Sequence, residues 1–370
     1  MQRKNIIILT LTFSIAFALN SCQIGRFVFY NFADIKDHKK FPSRELTASN
    51  KPFEFFKVKE QKGPKELEIN GKKLSFEKFL ESQKTVAYLI IRNDSLLYEN
   101  YFSNYNRESD VPSFSVAKSV TSILIGIAIQ EGKITSVEDP ITQYLPEMKD
   151  PNMKKVKIRH LLDMTSGIDY NESYVNPFGD AAAFYYGRKL RNQCAKMKCE
   201  KEPGTEFYYS SGNTQLLGLI LDHVLAPKTV TSYLQEKLWT PLQMQYPGSW
   251  SIDKKKNGME KTFCCLNTKA LDYAKIGRLY LNKGNWNGVQ IINEDWVKES
   301  TKIEEKEGSV SYYNNQWWIP SKDGDFVAHG ILGQYIYVNP AKNLIMVRLG
   351  KSEGKMQNWF GFFVEMAKYY

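Results

Sequence analysis

The run from Phe114 to Ile129 constrains this chain more than any other stretch. Behind Ser115-Val116-Ala117-Lys118 come Val120, Ile123, Leu124, Ile127, Ala128 and Ile129, and Gly132 supplies a stop. A helix that is apolar on nearly every face has to be central and buried, so the remaining chain must be built around it. At 370 residues the chain is long enough for that, and with 14% aromatic residues it has many rings to bury. Strand-like runs lie on both sides of this helix in sequence. Val86 to Ile91 and Leu96 to Phe102 flank Arg92-Asn93-Asp94-Ser95, and Gln334 to Val338 and Leu344 to Leu349 flank Asn339-Pro340-Ala341-Lys342-Asn343, so each pair reads as a β-hairpin. Helical patterns between them cover Thr214 to Val224 and Leu271 to Asn282, and Gln357 to Tyr370 reads as a last helix whose rings pack on the sheet. Strand, then mostly helix, then strand predicts an α+β fold: an antiparallel sheet that joins the first and last strands, flanked by helices, with a mostly helical lobe inserted.

Residues 1–21 have the pattern of an export signal. Arg3 and Lys4 precede the apolar run Ile6 to Leu19, which is too short to span a bilayer, and Leu19-Asn20-Ser21 leads directly into Cys22. That ending resembles the lipobox of bacterial lipoproteins, which would make Cys22 a lipidated anchor on an envelope protein facing the periplasm. Residues 22–75 show no sustained period and read as an anchor followed by a stalk or wrapping segment, leaving 76–370 as the folded domain. In an oxidising compartment the remaining cysteines are expected to pair: Cys194 with Cys199 by proximity, with one of Cys264 and Cys265 reaching back to them, because adjacent cysteines do not easily bridge each other. The cysteine and histidine spacing fits no zinc site, and no metal or cofactor is expected. The net charge of +10 lies in short solvated runs such as Lys254-Lys255-Lys256, a distribution that argues against nucleic acid as a partner.

The chemistry is carried by an S-x-x-K tetrad. Three residues apart on a helix, Ser115 and Lys118 share a face, close enough for an amine to take the hydroxyl proton. Similar tetrads begin at Ser75, Ser251 and Ser352, but only Ser115 opens a buried helix. There the free N–H groups of the first turn favour a developing negative charge and disfavour an ammonium. Partial burial would push the Lys118 amine further toward its neutral, basic form. A second element, Pro203-Gly204-Thr205 through Tyr209-Ser210-Ser211, enters the helix at Thr214 and offers Tyr209 as a proton carrier.

Together with Ala328-His329-Gly330-Ile331-Leu332-Gly333-Gln334, these motifs occur in an order that resembles the penicillin-binding serine hydrolases. That superfamily includes class C β-lactamases, D-alanyl-D-alanine carboxypeptidases, carboxylesterases and 6-aminohexanoate-dimer hydrolases. The resemblance spans roughly residues 85 to 350. It implies an acyl-enzyme mechanism in which Ser115 attacks, Lys118 is the base, and Tyr209 passes a proton to the leaving group. It also implies an oxyanion site between the N–H of Ser115 and one near Gly330 and Ile331. Two departures matter. Ser211 stands where β-lactam-binding members commonly carry Asn, and the strand Phe326-Val327-Ala328-His329-Gly330 lacks the usual Lys-Thr-Gly, leaving His329 as a stand-in for substrate contact. The resemblance therefore points to an ester, linear amide or peptide-like small molecule as substrate, as in a 6-aminohexanoate-dimer hydrolase or carboxylesterase. The alternatives are a β-lactamase or carboxypeptidase, or an envelope sensor that acylates without turnover.

Overall fold

The computed structural model describes residues 23–30, 32–69 and 71–370. The signal segment 1–21 and the Cys22 anchor lie outside the described residues. The central sheet has eight strands: β1 (Phe56–Lys57), β2 (Thr85–Arg92), β3 (Ser95–Tyr101), β4 (Tyr313–Asn314), β5 (Trp317–Trp318), β6 (Phe326–Gly330), β7 (Gln334–Asn339) and β8 (Leu344–Gly350). They lie side by side in the order β4-β5-β6-β7-β8-β2-β3-β1, antiparallel except for the parallel edge pair β3 and β1. The seam between β8 and β2 joins the two ends of the domain, with Val347 beside Leu89 and Ile345 beside Ile91.

Side chains alternate across this sheet, so its two faces bury different partners. Ala328, Ile336, Val338, Ile345 and Val347 face a core shared with α1 (Val116–Gln130), α2 (Ser211–Val224) and α3 (Ala270–Leu281). Val327, Tyr335, Tyr337, Met346 and Tyr88 face the other way, onto the helix Phe76–Ser82 and α4 (Trp359–Ala367). The expected α+β architecture is the one observed. In α1, residues Val116 through Ala128 are all buried, which is what its uniform apolarity requires.

The segment before the central sheet lies against the body. Ser43–Leu46 pairs antiparallel with Gly248–Ser251 in a second, four-stranded sheet, and Ile35, Leu46 and Phe55 are buried in the main core.

The cysteine pairing differs from expectation. Cys264 and Cys265 bridge each other, while Cys194 and Cys199 are free and buried. Cys265 adopts a left-handed backbone with φ +69°, a local reversal at which the adjacent pair closes. The Cys199 thiol is directed instead to the carbonyls of Ser166 and Lys201, at 3.5 and 3.2 Å.

One buried cation ties the sheet to the turn after β6. Arg348 is fully buried, and it donates to Thr85 Oγ1 and to the carbonyls of Gly333, Gln83 and Ser352 at 2.7–3.1 Å. Its guanidinium also stacks 4.0 Å over the Trp359 ring. Arg348→Ala would orphan four acceptors and leave a cavity, so it should destabilise the fold by about 3–5 kcal/mol. A lowered urea midpoint with an unchanged m-value would show this.

Candidate active site

Ser115 sits where the chain turns from the short strand Val111–Pro112 into α1, and Phe114 just before it has φ +44°. A buried aromatic residue held in the left-handed region is strained, and such strain persists only where the surroundings over-determine it. Here Ser113 ties the turn to the second sheet: its N–H donates to the Leu266 carbonyl at 2.7 Å, and its Oγ accepts from Leu266 N at 3.1 Å. The turn that carries Ser115 is thus fixed from the side of Leu266, directly after the bridged cysteines.

Lys118 is buried, and its Nζ has three partners: Ser115 Oγ at 3.0 Å, Ser211 Oγ at 3.1 Å and the Phe263 carbonyl at 2.9 Å. Burial lowers its pKa to about 8, against a smaller opposing pull from Glu172. A neutral amine has two N–H groups and one lone pair. The Phe263 carbonyl can only accept. Ser211 Oγ gives its own proton to Glu172 Oε1 at 2.6 Å, so it accepts from Lys118 as well. Ser115 is therefore the partner left to point its hydroxyl proton at the lone pair, which is the arrangement a general base needs.

Glu172 carries no motif and was not identified from sequence. It lies on the loop before the helix Asp180–Tyr186, accepts from Ser211 N at 2.7 Å at the start of α2, and accepts from the Tyr174 hydroxyl at 2.5 Å. A carboxylate at a helix N-terminus is favourably placed, and this one sets the direction of the Lys118–Ser211 hydrogen bond.

The Tyr209 ring is half-buried, with Lys118 Nζ 5.2 Å from its centroid. Burial raises the pKa of its hydroxyl, against a smaller opposing effect of the neighbouring Ser115 hydroxyl. The phenol therefore stays protonated, which suits a proton carrier rather than a base. Gly330 ends β6 against the nucleophile turn: a Cβ there would lie 2.3 Å from Ser113 O and 2.9 Å from Ser115 N, so only glycine lets the strand come this close. Ile331 follows in the turn and lines one cavity with Ser115 and Ser211.

The structure does not bring His329 to this group. In β6 it points opposite to Ala328 and Gly330, stacks on Tyr335 at 4.6 Å and lies 3.4 Å from Glu353 Oε1, on the α4 side of the sheet. The period of two along the strand excludes it from the Ser115 face. His160 caps a helix by accepting from Lys157 N, and His223 pairs with Glu147. Among the described residues no cluster of metal-ligating side chains occurs.

A family model described as Beta-lactamase matches residues 76–360. A 6-aminohexanoate-dimer hydrolase from Paenarthrobacter ureafaciens is 27% identical over 307 residues, covering 77% of each chain. Among solved structures, one from Bacillus anthracis proposed to be a 6-aminohexanoate-dimer hydrolase superposes with a TM-score of 0.80 at 23% identity, covering 93% of both chains. A family VIII carboxylesterase reaches 0.62 at 15% identity, covering 80% of this chain and 95% of its own. At these identities the structural matches establish the fold alone.

On the reading that neutral Lys118 is the base, kcat/KM should rise about tenfold per pH unit below pH 8 and level off above it. Glu172→Gln removes the charge that holds the amine protonated, so it should move that midpoint to lower pH. A midpoint that stays in place in the variant would show that Glu172 does not act on the base.

Proposed function

The chain belongs to the beta-lactamase family, and from that premise we propose that this serine hydrolase cleaves an ester or a linear amide through an acyl-enzyme, without a cofactor. The observation that carries this reading is Lys118, buried and 3.0 Å from Ser115 Oγ, with burial drawing its amine toward the neutral form that can receive the hydroxyl proton. In the first half-reaction Ser115 Oγ bonds to the substrate carbonyl carbon while its proton passes to Lys118 Nζ. The carbonyl oxygen takes up the negative charge, met by the N–H of Ser115 and that of Ile331. Tyr209 then conveys a proton from Lys118 to the departing amine or alkoxide as its bond to carbon breaks. In the second half-reaction water attacks the ester, gives its proton to the same base, and Ser115 leaves with a proton restored.

Specificity within the family follows from the departures at Ser211 and His329. Ser211 is shorter than the common Asn and is already engaged by Lys118 and Glu172, so it has little reach toward a β-lactam amide. With His329 on the far face, no histidine takes the place of the missing cation that would bind a carboxylate. Both features favour the ester or linear-amide reading over a β-lactamase or a carboxypeptidase. Residues 76–360, which match the family, lie within the proposed catalytic domain 76–370.

A burst and steady-state assay with p-nitrophenyl butyrate and nitrocefin tests the reaction. Ester turnover should be abolished by Ser115→Ala and by Lys118→Ala, a loss on the order of 10³-fold or more, with little nitrocefin hydrolysis. A burst without turnover would mark a sensor, and nitrocefin turnover would mark a β-lactamase. We also propose that residues 1–21 are removed on export and that Cys22 is lipidated to hold the enzyme at the bacterial envelope. Cys22→Ser should then release the protein from the membrane fraction and abolish metabolic labelling with palmitate.

A further inference from the structure

A cavity of about 250 Å³ opens beside Ser115. Its walls come from both sides of the nucleophile: Phe263 and Cys264 on one, Ile331 and Leu332 on another, and Ala182 and Tyr186 of the helix Asp180–Tyr186 opposite. Among the described residues lining it, none is Asp, Glu, Lys, Arg or His. The Cys264 sulfur is held in the bridge to Cys265 and presents no thiol to the space. Tyr209 is not among the lining residues, although it touches Ser115. The leaving group must lie within reach of Tyr209, so a cavity that includes Ser115 and omits Tyr209 receives the part of the substrate that stays on the serine.

Phe32 and Ala33 complete the wall. They belong to the segment before the family match, and its neighbours are latched to the cavity helix: Arg26 Nε donates to the Tyr186 carbonyl at 2.6 Å, and the Tyr185 hydroxyl donates to Asp37 Oδ2 at 2.6 Å. Phe32 is 55% exposed and forms an apolar lip at the mouth.

We propose that this cavity is the acyl pocket, and that it selects esters or amides of a neutral, apolar acyl group of about six to eight carbons. The inference rests on the acyl-enzyme reading above and specifies its substrate class. At roughly 30 Å³ per water-sized group the space holds about eight such groups. A terminal carboxylate or ammonium would be stripped of water there and find no counter-charge, so charged acyl chains of the same length are excluded. Each buried methylene should raise kcat/KM about fourfold until the pocket is full.

The test is a series of p-nitrophenyl esters of acetate, butyrate, hexanoate, octanoate and dodecanoate, together with the mono-esters of adipate and of 6-aminohexanoate. It is run on the wild type, Ser115→Ala, Phe32→Ala and Ala182→Leu. The expected profile peaks at hexanoate or octanoate, about a hundredfold or more above acetate, with both charged six-carbon esters about tenfold or more below hexanoate. Ala182→Leu should move the peak to butyrate, and Phe32→Ala, at an exposed position the fold does not depend on, should lower the octanoate-to-acetate ratio. A flat or acetate-peaked profile that is still lost in Ser115→Ala would overturn the pocket and leave the hydrolase standing, as would charged esters equal to hexanoate. Turnover of any ester that survives Ser115→Ala, or no turnover of any ester or of the matching p-nitroanilides, would remove the hydrolase reading and the pocket with it.

Discussion

Water is kept from the amine of Lys118, and the site depends on that. An exposed lysine stays charged at neutral pH and cannot take a proton from serine, whereas here burial brings the pKa down to about 8. The fold supplies the burial from three directions: α1 carries the lysine, α2 brings Ser211 over it, and the loop before the bridged cysteines offers the Phe263 carbonyl. Glu172 works in the opposite sense, drawing the pKa up while fixing which way the Ser211 proton points. The charge state of the Lys118 amine is a compromise between desolvation and one carboxylate placed a serine away.

Geometry of this quality needs a rigid frame, and close backbone contact provides it. β6 can approach the nucleophile turn because Gly330 has no Cβ, and the turn that follows is held by Arg348 through the Gly333 carbonyl. From the other side, Leu266 grips Ser113 with two hydrogen bonds. Ser115 is therefore clamped between two sheets, and the unfavourable φ of Phe114 is tolerated because neither sheet can yield.

Much of this was legible in the sequence because it rests on local patterns. The uniform apolarity of α1, the two hairpins and the motifs at Ser115 and Tyr209 are all short-range signals. His329 could have been placed by counting, since a residue one step from Gly330 must face away from it. Other features had no local signature. Glu172 lies in a loop without periodicity and acquires its importance from α2, which follows much later in the chain. The Cys264–Cys265 bridge depends on a left-handed residue that no neighbouring glycine or asparagine announces. The contribution of Phe32 to the cavity comes from a segment whose composition reads as a stalk or wrapping segment without showing what it wraps, because what holds it is the distant pair Tyr185 and Tyr186.

The seam between β2 and β8 has a consequence for how the molecule is made. The hairpin of β2 and β3 is synthesised early, yet the neighbour that covers the edge of β2 is β8, close to the end of the chain. Through most of translation that edge is a long, apolar row of unpaired amides, the kind of surface that recruits the wrong strand. The β2–β8 pairing is a long-range contact whose loop-closure entropy has to be met before it stabilises the sheet.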